Sequence, residues 1–228
     1  MKKVVVLSLG GSLIIPNEID TKYLKEFKKI LKKNSRKYKF IIVCGGGSIA
    51  RKYIYSLRSL GISEKFQSLV GISATRMNAR FMNYFFDQDA SKGIPQKIKE
   101  ISNYLKKQDI VFCGALEYKP NQTSDSTSSE IAKHFKSNFI NLTNVPGLYN
   151  KNPKKFKNAK FISEISWKEF DKMANKLKFS PGQHFVLDQT ASKIIMNNKI
   201  TTYIIGQDLK QLDNLLNNKK FKGTKIHR

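Results

Sequence analysis

Two glycine clusters, one arginine and a few hydroxyl-bearing and acidic positions carry the chemistry this sequence can do. The first cluster breaks the apolar run "VVVLSLGGSLI" at Gly10, Gly11 and Ser12. The second, in "FIIVCGGGSIARKYI", is Gly45, Gly46 and Gly47, with Arg51 one helical turn further on. Glycines placed where a strand gives way to a helix let backbone N–H groups approach a phosphate, and the helix N-terminus adds positive potential. Each cluster alone reads equally well as a tight turn that packs a strand against a helix. Two clusters ending the first two strands point to two loops gripping one polyphosphate. Gly45, Gly47 and Ala50 also satisfy the G-x-G-x-x-A pattern of dinucleotide sites, but no acidic residue closes a third strand about 20 residues on, and no Walker A motif is present. Asp125, in "TSDSTSSE", stands at a helix start, where an acid serves equally as a cap or as a first-turn charge.

The elements that must position these residues alternate strand and helix. "KVVVLSL" reads as a strand, and "DTKYLKEFKKILKKN" as a helix capped by Asp20 with Tyr23, Leu24, Phe27, Ile30 and Leu31 at helical spacing. "KFIIVC" is the next strand, followed by the helix "SIARKYIYSLRSLGI". "QSLVGISATRMNARFMNYFFDQD" reads as one long helix or a helix pair, and "PQKIKEISNYLKKQ" as a helix with proline in its first turn. "DIVFCG", "NFINLTN" and "TTYIIG" are further strands; "SDSTSSEIAKHFKS", "SWKEFDKMANKL", "TASKIIMNN" and "DLKQLDNLLNN" are helices; "PGLYNKNPKKFKNAK" is a loop. Near-continuous apolar strands alternating with helices predict an α/β fold, a mostly parallel central sheet covered on both faces.

With 228 residues and 40% apolar composition, the chain can bury a sizeable core, and it is read as one domain over 1–228. The N-terminal "MKKVVVLSLGGSL" lacks a small-x-small cleavage site and is read as a strand, not a signal peptide. No apolar run approaches the roughly 20 residues a bilayer span needs, so no membrane is expected. Cys44 and Cys113 each close a strand, which fits buried thiols in a reducing cytoplasm. His134, His184 and His227 show no metal-ligand spacing. The net charge of +25 favours anionic partners. Its lysines are scattered over helix faces and loops without interleaved aromatics, which favours a basic solvated surface over a nucleic-acid site.

"LGGSL", "GGGSIARKYI", "GISATRMNARF", "TSD" opening a helix, "TNVPGLYNKNPKK", "ASKII" and the terminal "GTKI" occur in an order and spacing that resembles the amino acid kinase superfamily, most closely the archaeal-type uridylate kinases. The resemblance covers almost the whole chain. It implies a three-layer α/β/α sandwich whose N-terminal part binds the phosphoryl acceptor and whose C-terminal part binds ATP. It also implies transfer of the γ-phosphoryl group of ATP to UMP with Mg²⁺, in pyrimidine nucleotide synthesis, by a homohexamer. By resemblance, Gly11 and Ser12 hold the ATP phosphates, Gly46 approaches the acceptor phosphate, and Gly47 with Arg51 serves the nucleotide phosphates. Asp125, after Thr123 and Ser124, organises the acceptor or a metal-bound water, and Lys193 steadies the transferring phosphoryl. Thr143, Asn144, Tyr149 and Asn152 match the loop that receives the adenine nucleotide.

The departures from the family pattern concern charge and the nucleoside. Ser8 stands where many members have a lysine. Ser68 stands where the archaeal enzymes have an aspartate for the UMP ribose, and Pro146 and Asn152 replace acids of the ATP loop. "GALEYKPNQTSD" is longer than its family counterpart and different in composition. Phosphate handling is therefore expected to be intact and nucleoside recognition altered. The same fold would also serve another phosphate or carboxylate acceptor, or a non-catalytic nucleotide or oxyanion binder.

Overall fold

The computed structural model describes residues 2–120, 122–151, 156–176 and 187–228. In chain order the elements are β1 (Lys3–Leu9), α1 (Gly11–Ile14), α2 (Thr21–Asn34), β2 (Tyr38–Cys44), α3 (Gly47–Ser59), α4 (Glu64–Phe85), α5 (Ile98–Lys107), β3 (Ile110–Cys113), α6 (Ser124–His134), β4 (Asn138–Leu142), β5 (Leu148–Tyr149), β6 (Phe161–Ile162), β7 (Glu164–Ile165), α7 (Trp167–Ala174), α8 (Gln189–Asn197), β8 (Thr202–Ile205), α9 (Leu209–Leu216) and β9 (Thr224–Ile226). Seven strands form one sheet in the order β3-β2-β1-β4-β8-β9-β7. β3, β2, β1, β4 and β8 run parallel, whereas β9 runs antiparallel to β8.

Strand alternation sorts the side chains into two cores. Val5, Leu7 and Leu9 of β1, with Phe40, Ile42 and Phe112, face Leu24, Phe27 and Leu31 of α2, Met82 of α4 and Leu212 of α9. Val6, Ile41, Val43, Val111 and Phe139 face Ile101 of α5, Ile131 of α6, Phe170 of α7 and Ile195 of α8. Helices thus cover both faces of the sheet, which is why its central strands are apolar without a break. Asp20 caps α2 by accepting from the Tyr23 N–H at 2.9 Å, as its place in the sequence predicts.

Three expectations are sharpened. The segment read as one helix or two is a single helix of 22 residues, α4. The terminal "GTKI" forms β9 and introduces the antiparallel pair. The stretch read as loop after β4 contains β5, which pairs with β6 in a separate two-stranded ribbon.

The loops leaving β1 and β2 touch backbone to backbone. Gly10 N–H donates to Leu142 O at 2.9 Å and Gly45 N–H to Leu9 O at 2.9 Å, tying both turns to the sheet. A Cβ on Gly11 would lie 2.0 Å from the nitrogen of Gly47, and one on Gly45 would lie 2.5 Å from the nitrogen of Gly11. Gly47 has φ +65°, in the left-handed region. A methyl group has nowhere to go here, because what it meets is main chain and not a flexible side chain. Gly11→Ala is expected to lower the unfolding free energy by about 2–3 kcal/mol. Gly61→Ala, where φ is +69° but nothing lies within 4 Å of the added carbon, costs only the backbone strain, about 1 kcal/mol. Urea denaturation of the two variants measures the difference; equal losses would show that the loops are not locked together.

Candidate active site

The parallel strands bring the ends of β1, β2, β3 and β4 to one edge of the sheet, where ligands of open α/β sheets collect. A cavity of about 240 Å³ opens there. Its walls are Gly11 and Ser12 after β1, Gly46, Gly47 and Arg51 at the start of α3, Ser68 and Thr75 on α4, and Thr143 after β4. Thr123, Ser124 and Asp125 at the start of α6 complete it, with Glu117, Tyr118, Lys119 and Gln122 of the preceding loop. The cavity thus brings together Gly11, Ser12, Gly46, Gly47, Arg51, Ser68, Thr123, Ser124, Asp125 and Thr143, with Ser8, Gly10, Gly45 and Ala50 beside them, all singled out in the sequence.

The N–H groups of Gly10 and Gly45 serve the sheet, but those of Gly11, Ser12 and Gly47 open helices and have no intrahelical acceptor. They are the donors a phosphate would meet. Arg51 lines the cavity and forms no ion pair among the described residues, while its neighbour Lys52 is exposed.

An acid network borders the cavity. Ser8, buried in β1, donates its hydroxyl to Asp125 Oδ1 at 2.8 Å. Asp188 caps α8 by accepting from the Ala191 N–H at 2.7 Å, and it also accepts from the hydroxyls of Thr123 and Ser126. One carboxylate thus joins the first turns of α6 and α8. Burial, and then the charge of Asp188, push the Asp125 carboxyl up to about 7 against the Ser8 hydroxyl, which favours its ionised form.

Helix α4 buttresses the loops. Asn78 Nδ2 donates to Gly45 O at 2.7 Å. Thr75 Oγ1 accepts from the Ala115 N–H at 2.9 Å, and Arg76 donates to the carbonyls of Ala115 and Leu116. The "TRMNAR" part of the "GISATRMNARF" motif here holds the two loops; of Thr75, Arg76 and Asn78, Thr75 also lines the cavity.

Other expected residues fall elsewhere. Lys193 is exposed on α8 and does not line the cavity, although Asp188 at the head of that helix does. Asn144 is exposed, and Tyr149 is half-buried with its ring edge-on to Phe161 at 5.3 Å. Asn152 lies outside the described residues. Sequence reasoning passed over Asn141, buried on the cavity wall opposite Ser8 in the β1–β4 register. Asp188, just before the helix read from "TASKIIMNN", was likewise not singled out. The one available signal for both was a polar residue inside or at the end of an apolar strand or helix pattern.

This chain belongs to the amino acid kinase family, whose description matches residues 3–206. Its curated relatives include the uridylate kinase of Thermoplasma volcanium, 36% identical over 221 residues, covering 96% of this chain and 95% of the relative. The crystal structure of uridylate kinase from Archaeoglobus fulgidus superposes with a TM-score of 0.82 at 33% identity, covering 99% of this chain and 100% of that one. The UMP kinase of Ureaplasma parvum shares the fold with a TM-score of 0.82 at 22% identity, covering 100% of both chains.

Asp125 holds its proton more tightly in the folded chain, at about 7, than at its ordinary value of 3.8. Below that ordinary value both states are protonated and the carboxyl costs nothing. As pH rises towards 7 the unfolded state gives up the proton first, so folding loses stability, and the loss is complete above 7. Asp125→Asn has no proton to lose. It is expected to gain on wild type between about pH 4 and pH 8, reaching about 1–3 kcal/mol because cavity water screens part of the penalty. Urea denaturation across that range checks it; a gap independent of pH would refute it.

Proposed function

We propose that this chain is an ATP-dependent uridylate kinase, a phosphotransferase that converts UMP and ATP to UDP and ADP. The observation that carries this reading is the pair of interlocked glycine loops opening one cavity, with Arg51, which forms no ion pair among the described residues, on its wall. Likeness to uridylate kinases over nearly the whole chain supports UMP as the acceptor.

An oxygen of the UMP phosphate attacks the γ-phosphorus of ATP. The new P–O bond forms as the bond to the β–γ bridging oxygen breaks, and ADP leaves with that electron pair. The acceptor oxygen is already anionic near neutral pH, so no base has to take a proton from it. The protein's task is to hold two anions in line and offset their charge. Gly11 and Ser12 serve the ATP phosphates, Gly46 the acceptor phosphate, and Gly47 with Arg51 the phosphates between them. Ser68, Thr123 and Ser124 face the acceptor. Thr143, Asn144, Tyr149 and Asn152 receive the adenine nucleotide.

Among the described residues no cluster of three acidic, histidine or cysteine side chains could hold a metal alone. That suits Mg²⁺, which keeps few protein ligands and rides on substrate phosphates. The second oxygen of Asp125 accepts no hydrogen bond from the described residues, so Asp125 is the residue that would hold the ion or a water on it. When bound with ATP, Mg²⁺ would supply neutralisation of the phosphate charge. Lys193, in the second turn of α8, is the residue proposed to steady the transferring phosphoryl.

ADP release in the presence of Mg²⁺ is expected to depend on UMP more strongly than on CMP, AMP or GMP. Lys193→Ala is expected to lower kcat about 100-fold while the KM for ATP changes less than about threefold. If no nucleoside monophosphate stimulates ADP release, the chain is a nucleotide or oxyanion binder on the same fold. No helix among the described residues is long and apolar enough to cross a membrane. Cys44 and Cys113 are free and buried, in keeping with a cytoplasmic enzyme. A homohexamer is part of the proposal. Tyr53 and Leu60 of the α3 region and Phe66, Met77 and Tyr84 of α4 expose apolar surface for a second copy. Light scattering is expected to give a multiple of the 26.1 kDa chain, and a monomer would remove the proposal.

A further inference from the structure

The loop between β3 and α6 is held in three places, and the middle hold plays no part in the chemistry described above. At its start, Arg76 grips the carbonyls of Ala115 and Leu116. At its end, Thr123 caps α6 and donates to Asp188. Between them, Lys119 Nζ donates to both carboxylate oxygens of Glu130, at 2.7 and 2.9 Å, and Gln122 Nε2 donates to Glu130 Oε1 at 3.2 Å. Glu130 lies on α6, the helix that carries Asp125. Its side chain is 28% exposed and that of Lys119 48%, so solvent weakens the pair. Three hydrogen bonds converge on the one carboxylate, so its hold on the loop rests on geometry as well as on charge.

Glu130 does not line the cavity, whereas Glu117, Tyr118, Lys119 and Gln122 do. Asp125 and Asp188 are engaged by hydroxyls, but Glu117 takes part in no hydrogen bond or ion pair among the described residues. A carboxylate only accepts, which suits a ribose diol or the ring N–H of uracil. Tyr118, the neighbour of Glu117 in the chain, lines the cavity as well.

We infer that Glu130 is a positioning residue for the acceptor nucleoside. By pinning Lys119 and Gln122 to α6, it sets where Glu117 and Tyr118 stand in the cavity. This rests on the kinase reading above.

The test uses the full chain with Glu130→Gln, which keeps the shape and removes the charge, and Glu130→Asp, which keeps the charge. UMP and ATP are varied separately, and amide hydrogen exchange is followed in the loop and in β1 to β4. Glu130→Gln is expected to raise the KM for UMP about tenfold, with kcat and the KM for ATP within about twofold, and Glu130→Asp to recover part of the loss. Loop amides exchange faster while those of the strands do not. An unchanged KM for UMP overturns the inference. So does a rise in both KM values together with a fall in melting temperature, which would make Glu130 a general support of α6. If the wild-type chain turns over no nucleoside monophosphate, the kinase reading fails separately. Loop exchange then still decides the pin: faster in Glu130→Gln supports it, unchanged overturns it.

Discussion

The close approach of two main chains, Gly11 against Gly45 and Gly47, is the constraint on which the site depends. Two loops from adjacent parallel strands are brought nearer than any side chain would permit, and both are tied back to strand carbonyls. The N–H groups left over then point into one small volume. Asn78 fixes the carbonyl side of the second loop, so the peptide orientation is held from below as well. Positive potential is thus built from backbone, which has no rotamers to lose and does not titrate near neutral pH.

Around that backbone cradle lies a layer of buried hydroxyls and acids. The α6 sequence "SDSTSSE" is unusual for a helix interior, since Ser126, Thr127, Ser128 and Ser129 are all buried. Each is satisfied locally or by the network: Ser128 donates to Ser124 O and Ser129 to Asp125 O, while Ser126 donates to Asp188. Small hydroxyls let α6 lie close to β1, where Ser8 reaches Asp125. A lysine at position 8 would need a place for its charge in this layer; the serine needs only a carboxylate oxygen. The stability lost by holding Asp125 near Asp188 is the kind of local cost that reactive sites carry.

Much of the framework was legible in the sequence because it depends on local patterning. Strand and helix alternation, the Asp20 cap and both glycine clusters follow from residue types over a few positions. The meeting of the clusters also followed, since neighbouring parallel strands deliver their loops to one edge. What was not legible depends on long-range geometry. Ser8 and Asp125 stand 117 positions apart, and Thr123 and Asp188 stand 65 apart. No period or spacing announces such pairs. The exposed setting of Lys193 and the holding role of Arg76 escaped for the same reason: a basic residue on a helix carries no mark of what it faces. The antiparallel β9 was hidden by its brevity.

The grip of Arg76 on the loop after β3 falls on carbonyl oxygens, and Thr75 meets an amide N–H. Every residue has the carbonyl, and every residue but proline the N–H, whatever its side chain. The loop is therefore fastened to the scaffold by features that a change of sequence does not erase. Apart from Lys119, Gln122 and Thr123, its side chains are free to be exchanged, and its length to grow, while these backbone anchor points survive. In evolutionary terms this makes the segment a cassette: a lineage can alter which molecule is admitted without reopening the problem of how the phosphates are held.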